Sequence, residues 1–300
     1  MLTMVTRSTL LIRQALLFHA AVSTIAVGFA LSMVEQCFAR PPEGGFEVIE
    51  VQASDGSGRR LLVNLMRPSG TGPFPLAVIN HGSPPVAGRR LEMQIPTYAL
   101  LSRWLLAQGY AVALPLRRGY GAVGGRWDET YGSCGRPDFT RGGLETARDI
   151  QAVIEFLSRV DFVRKQGVVV IGQSAGGWGT LALASQNPTN VAGYINFAGG
   201  RGGHRNNTAN ENCASDLLVQ AAGEFGKTTR RPTLWIYTDN DSFFAPALVR
   251  QMHSRYVTSG GQAVLHILPS VGSDGHQAIS SEKAFTLWSP VVGRFLESLK

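Results

Sequence analysis

The sequence predicts an α/β fold: a doubly wound, mostly parallel sheet with helices on both faces and an antiparallel hairpin at its start. Three observations carry the prediction. Apolar, β-branched runs such as Val168-Val169-Val170-Ile171 alternate with stretches of helical periodicity, the pattern of strands covered on both faces. The first two strand-like runs, 46–52 and 61–66, flank Asp55-Gly56-Ser57-Gly58, a turn signal that pairs them antiparallel. No repeat, low-complexity tract or linker interrupts residues 40–300, so one domain is expected there.

The elements follow in order. Residues 75–80 read as a buried strand. Residues 98–108 read as a helix, with Leu100, Leu101, Trp104 and Leu105 on one face and Gly109 as its stop. A strand at 110–116 precedes an amphipathic helix at 143–160, whose apolar face is Ala147, Ile150, Val153, Ile154 and Leu157. The strand ending at Ile171 runs into a helix reaching about Ser185, and 191–197 forms the next strand. A short helix within 211–225, a strand at 233–237, a helix at 245–256, a strand at 263–268 and a closing helix at 281–299 complete the domain.

Composition narrows the function. Hydrophobic residues make up 44% of the chain and charged residues 16%, enough apolar material for a large core. The net charge is +7, but the basic residues come as scattered pairs such as Arg59-Arg60 and Arg230-Arg231. A solvated basic surface is expected, not a nucleic-acid site.

Residues 1–39 read as a secretory signal peptide. Arg7 and Arg13 precede an apolar stretch, and a small-residue ending falls at Ala39. The apolar stretch is long enough that an uncleaved membrane anchor is the alternative. Loss of residues 1–39 removes two arginines and one glutamate and lowers the net charge from +7 to +6. The basic balance therefore belongs to the domain. Cys134 and Cys213 are the cysteines left, and in an exported protein an even pair suggests one disulfide. A periplasmic or secreted location is expected. No metal-ligand spacing appears and no cofactor is implied. The run Gly199-Gly200-Arg201-Gly202-Gly203 lacks the Lys-Ser/Thr ending of a phosphate loop.

Chemistry centres on Gly172-Gln173-Ser174-Ala175-Gly176. Between a buried strand and a helix, Gly-x-Ser-x-Gly lifts one serine out of a tight turn above a helix N-terminus. A serine hydroxyl needs a base, a carboxylate to orient that base, and donors for the oxyanion that forms. In an open α/β sheet these groups belong at the carboxyl ends of strands. His276, in Gly272-Ser273-Asp274-Gly275-His276 after the last strand, is the preferred base, with His204 as competitor. Asp241 is the preferred acid, with Asp239 as alternative, while Asp274 is expected to stabilise its loop. The backbone N–H of Ala175 should supply one oxyanion donor. Pro84 and Pro85 lack an N–H, so the second falls to Ser83, with Gly82 behind it. His81 is expected to brace this loop. Phe243 and Phe244 fit either an acyl pocket or the core.

The order of His81-Gly82, the serine motif, Asp241 and His276 resembles the α/β-hydrolase superfamily over 46–299. Within it the chain is similar to exported bacterial proteins grouped with dienelactone hydrolases and prolyl-oligopeptidase-like esterases. Arg118-Gly119-Tyr120-Gly121 and Leu234-Trp235-Ile236-Tyr237 carry that likeness. The resemblance implies Ser174 as nucleophile, His276 as base and Asp241 as orienting acid. Dienelactone hydrolases use a cysteine nucleophile, so their lactone substrate is not carried over. A small cap from 121–141 and 199–213, pinned by Cys134 and Cys213, is expected in place of a large lid. The leading expectation is an exported serine hydrolase acting on a small-molecule carboxylic ester through an acyl-enzyme. A short-peptide serine peptidase and a non-catalytic binding protein retaining the fold are the alternatives.

Overall fold

The computed structural model describes residues 45–300. The expected leader at 1–39, with Cys37, lies outside the described residues. Ten strands are present among them: β1 (Glu47–Gln52), β2 (Arg60–Met66), β3 (Leu76–Asn80), β4 (Ala111–Leu116), β5 (Gly132–Ser133), β6 (Arg136–Pro137), β7 (Val168–Gln173), β8 (Val191–Phe197), β9 (Thr233–Thr238) and β10 (Ala263–Leu268). Six α-helices accompany them: α1 (Ala99–Ala107), α2 (Phe139–Leu157), α3 (Ala175–Gln186), α4 (Ser215–Thr228), α5 (Pro246–Thr258) and α6 (Glu282–Ser298). Among the described residues no helix is long and apolar enough to cross a membrane.

Eight strands form one sheet in the order β1-β2-β4-β3-β7-β8-β9-β10. The hairpin β1–β2 is antiparallel, with Glu47 opposite Leu65 and Gln52 opposite Arg60. Its turn is held by the Asp55 carboxylate, which accepts the Ser57 N–H at 3.0 Å, and by the Ala53 N–H on the Arg59 carbonyl. β2 also lies antiparallel to β4, and every other pairing in this sheet is parallel. The expected doubly wound, mostly parallel sheet with an antiparallel start is therefore what the chain forms.

Side chains alternate across each strand, so the sheet feeds two cores. On one face Ile79, Val112, Ile171, Phe197 and Ile236 pack with Leu101 and Leu105 of α1 and Trp288 and Val292 of α6. The Trp104 and Trp288 rings meet edge to face at 5.9 Å. On the other face α2, α3, α4 and α5 form the cover, where Trp235 packs against Tyr256 of α5 at 5.2 Å.

Two helices depart from the sequence reading. α2 begins at Phe139, four residues before the expected start at 143, because the Asp138 carboxylate caps it by accepting the Arg141 N–H at 2.8 Å. The sequence reading puts the helix start at Gly143. In the structure Gly143 lies inside α2, where an added Cβ would stand 2.8 Å from the Phe225 ring. Close packing, not chain reversal, requires that glycine. α4 runs from 215 to 228, three residues past the 211–225 window within which a short helix was expected. The short hairpin β5–β6 and a 3-10 turn at Ala87–Glu92 have no counterpart in the sequence reading.

Candidate active site

Ser174 sits between β7 and α3 with φ 55° and ψ −119°. A non-glycine residue rarely adopts that conformation, and it persists only where its surroundings over-determine it. They do so here. The Ser174 N–H donates to the Phe197 carbonyl at 2.9 Å, and the Ser174 carbonyl accepts from Trp178 N at 2.9 Å and Gly200 N at 3.2 Å. β7 is fully buried between β3 and β8, so the turn at its end is anchored on both sides.

Asp241 lies three residues beyond β9, and His276 lies in the 3-10 turn Gly275–Ser280 after β10. The two are brought together: His276 Nδ1 stands 3.0 and 3.1 Å from the two Asp241 carboxylate oxygens. Both residues are buried. Asp241 Oδ1 also accepts the backbone N–H groups of Phe243 and Phe244, at 2.8 and 3.0 Å, which fixes the carboxylate in the plane it presents to the imidazole. A carboxylate can only accept, so Nδ1 carries a proton and, in the neutral tautomer, Nε2 is the acceptor nitrogen. His276 and Ser174 line the same cavity, of about 440 Å³.

Asp274 holds the His276 loop, accepting from His276 N at 3.0 Å, Ser242 N at 3.1 Å and Ser242 Oγ at 2.7 Å. Burial works against its charge, yet these hydrogen bonds keep the carboxyl below the usual range. The exposed Asp239 follows the end of β9 and gives its N–H to the Leu268 carbonyl. His204 bonds Ser242 Oγ at 2.8 Å and stacks on Phe243. Phe243 in turn stacks on His276. Phe243 lines the cavity that holds Ser174, so it serves the site and not only the core.

Ser83 and Gly82 follow β3 and line that cavity with Ser174. Gly82 lies against the serine: an added Cβ would stand 3.1 Å from Ser174 Cβ and 2.8 Å from Gln173 Oε1. Ala175 opens α3, at the end of a helix whose first N–H groups have no intrahelical acceptor. His81 braces the loop, with Nδ1 on the Gly82 carbonyl at 2.7 Å and Nε2 accepting from Arg117 N at 3.3 Å. Burial, reinforced by the Arg117 guanidinium, pulls its pKa down to about 3, so it is neutral at physiological pH.

Three contributors escaped the sequence reading. Gln173 gives its Nε2–H to the His276 carbonyl at 3.2 Å and takes the Tyr98 hydroxyl on Oε1 at 3.0 Å. It ties the serine turn to the histidine loop. Tyr98, whose pKa burial pushes up to about 12, lines the cavity from the start of α1. Arg201 is buried at 4% exposure and lines a second cavity beside Ser174, of about 250 Å³. Only the motif position of Gln173 carried any signal. The segments 121–137 and 199–213 both lie by this second cavity through Trp127, Tyr131 and Gly200, and Cys134 and Cys213 join them as a disulfide.

Residues 96–198 match the model of the prolyl oligopeptidase family. No curated protein matches the chain in sequence. Among solved structures, the chain is similar to the Pyrococcus furiosus esterase Pf2001, with TM-score 0.59 and 16% identity over 84% of this chain and 92% of that one. Est1E from Butyrivibrio proteoclasticus gives TM-score 0.55 and 16% identity over 83% and 98%. The Pyrococcus horikoshii acylaminoacyl peptidase gives 0.59 and 16% over 84% of this chain and 41% of that one. The chain thus spans under half of that peptidase and nearly the whole of the two esterases. With a serine turn at the end of β7 and this sheet order behind it, the chain has the α/β-hydrolase fold.

Proposed function

We propose that the protein is a serine hydrolase that cleaves small carboxylic esters through an acyl-enzyme. The reading rests above all on the Asp241–His276 pair, 3.0 Å apart and buried, opening on the cavity that contains Ser174. Ser174 attacks the ester carbonyl. His276 Nε2 takes the hydroxyl proton and returns it to the leaving oxygen, and Asp241 orients the imidazole and balances its charge. The N–H groups of Ala175 and Ser83 receive the oxyanion, an interaction worth about 3–4 kcal/mol per donor in the transition state. Water then releases the acid by the same route.

An ester is favoured over a peptide by the cavity walls. No carboxylate lines either cavity beside Ser174, so neither offers a partner for a peptide amino terminus. The two esterases are matched over 92% and 98% of their length and the peptidase over 41% of its own. The Cys134–Cys213 disulfide fits an oxidising compartment and hence the export proposed from residues 1–39.

The test is fluorophosphonate labelling and p-nitrophenyl ester hydrolysis by the full chain and by Ser174→Ala. Labelling and turnover that vanish in the variant are expected. A folded wild-type protein that neither labels nor hydrolyses any ester would move the non-catalytic binding reading to the front.

A further inference from the structure

Gln173 closes β7, immediately precedes Ser174 and is 5% exposed. Its amide joins two other parts of the site. Nε2 donates to the His276 carbonyl at 3.2 Å, and Oε1 accepts the Tyr98 hydroxyl at 3.0 Å. Chemistry fixes the orientation of the amide, because a backbone carbonyl can only accept and must face the nitrogen. The oxygen then meets Tyr98, which has to donate. Gly82 packs against that same oxygen, which would stand 2.8 Å from a Cβ added there. One buried side chain therefore touches the histidine loop, the start of α1 and the loop after β3, from the residue next to the serine.

The backbone of Tyr98 is strained into place. Its φ of 37° and ψ of 51° lie in the left-handed region, where a bulky residue is rare and persists only when its neighbours over-determine it. Ser102 does so from within α1: its N–H donates to the Tyr98 carbonyl at 2.9 Å and its Oγ to the Thr97 carbonyl at 2.7 Å. Asn64 of β2 holds the Pro96 carbonyl at 2.9 Å. The Tyr98 side chain makes no cap for α1. Its hydroxyl goes to Gln173 instead, and burial keeps it protonated by pushing its pKa up to about 12.

Three hydrogen bonds hold His276. Asp274 accepts its N–H at 3.0 Å, Asp241 takes Nδ1 at 3.0 Å, and Gln173 takes its carbonyl. Of these partners only Gln173 stands on the strand that carries Ser174, so its bond sets the reach from base to serine. We propose that Gln173, oriented by the Tyr98 hydroxyl, is a positioning residue that keeps His276 Nε2 in register with Ser174 for proton transfer. The proposal rests on the hydrolase reading above. Gln173 and Tyr98 also line the cavity, so the competing role is contact with substrate. The two roles change different constants. A substrate contact acts on KM. A misplaced base slows acylation and deacylation alike, because His276 serves both, and lowers kcat with KM unchanged.

The experiment measures p-nitrophenyl butyrate hydrolysis by the full chain, by Gln173→Met, by Tyr98→Phe and by the double variant. Gln173→Met keeps the length of the side chain without its hydrogen bonds. It should lower kcat about tenfold to a hundredfold, with KM held within about twofold. Tyr98→Phe keeps the ring in the cavity wall and should lower kcat about three- to tenfold. Because Tyr98 acts through Gln173, its loss should add nothing once Gln173 is gone, and the double variant should match Gln173→Met alone. Where Gln173→Met does not fold, Gln173→Glu takes its place in the cycle, since an ionised glutamate accepts from Tyr98 but has no donor for the His276 carbonyl. An unchanged kcat, a rise in KM alone, or losses that multiply in the double variant overturn the positioning role and leave the hydrolase reading intact. A folded wild type that neither labels with fluorophosphonate nor hydrolyses the ester overturns both.

Discussion

Phe243 stacks face to face on His276, with ring centroids 4.1 Å apart and planes 24° apart. On its other face it carries His204 at 3.8 Å. The backbone N–H of Phe243 donates to the Asp241 oxygen that also meets His276 Nδ1. One residue thus fixes the carboxylate through its backbone and the imidazole through its ring. Phe243→Ala removes only the ring. A stack of this kind is worth about 0.5–1.5 kcal/mol, so kcat should fall roughly three- to tenfold. The downfield proton resonance of the His276–Asp241 bond should broaden in Phe243→Ala and stay sharp in Phe243→Tyr. An unchanged kcat and resonance in the alanine variant would show that Asp241 orients the imidazole unaided.

Asp241→Asn keeps an oxygen for the Phe243 and Phe244 N–H groups but can turn an amide toward His276. The imidazole then loses the acceptor that holds its proton on Nδ1. A fall in kcat of about 10⁴ is expected, with the circular dichroism spectrum unchanged. A loss below tenfold would assign the orienting role elsewhere, and Asp239 would be the next variant to make.

The disulfide closes a long loop, since Cys134 and Cys213 are 79 residues apart in sequence with Cα atoms 5.0 Å apart. Restricting so long a loop in the unfolded chain stabilises the fold by about 3–4 kcal/mol. Replacing both cysteines by alanine should lower the unfolding free energy read from a urea titration by that amount, and the midpoint by that amount divided by the m-value. Equal midpoints for the wild type and the double variant would mean that local packing alone holds these segments.

Burial, together with Arg117, disfavours the charged form of folded His81 and pulls its pKa down to about 3, against about 6.5 for the free side chain. The unfolded chain therefore takes up a proton that the folded state excludes. This contribution to stability is fully present above pH 6.5 and is lost as the pH falls toward 3, at about 1.4 kcal/mol for each pH unit. Urea unfolding at about pH 7.5 and about pH 5 should show the loss in the wild type and a shallower slope in His81→Gln. Identical slopes would place the acid sensitivity in other groups.

Much of this fold was legible because it depends on local patterns. The β-branched run before Ser174 could be nothing but a buried strand, and both 191–197 and 263–268 match their strands at each end. The start of α2 was less legible. Its Gly142-Gly143 pair carries a local breaker signal that packing against Phe225 overrides, and the true cap, Asp138, stands outside the apolar period. Asp241 and His276 were legible by position, since each follows a strand whose carboxyl end must lie near that of β7. Their pairing at 3.0 Å, 35 residues apart, was an expectation that only folded coordinates could test.

The sequence by itself determined the layer architecture, the serine turn and the candidates for base and acid, because periodicity and loop chemistry act over a few residues. Only the tertiary structure decided the strand order, which places β4 between β2 and β3. It also decided what surrounds the serine. Phe243 between two imidazoles, Gln173 bridging Tyr98 to His276, and Arg90 and Arg201 sharing one cavity all join residues far apart in sequence. No local signal reports such contacts, since they arise when separate loops converge at one edge of the sheet and bury their polar groups together.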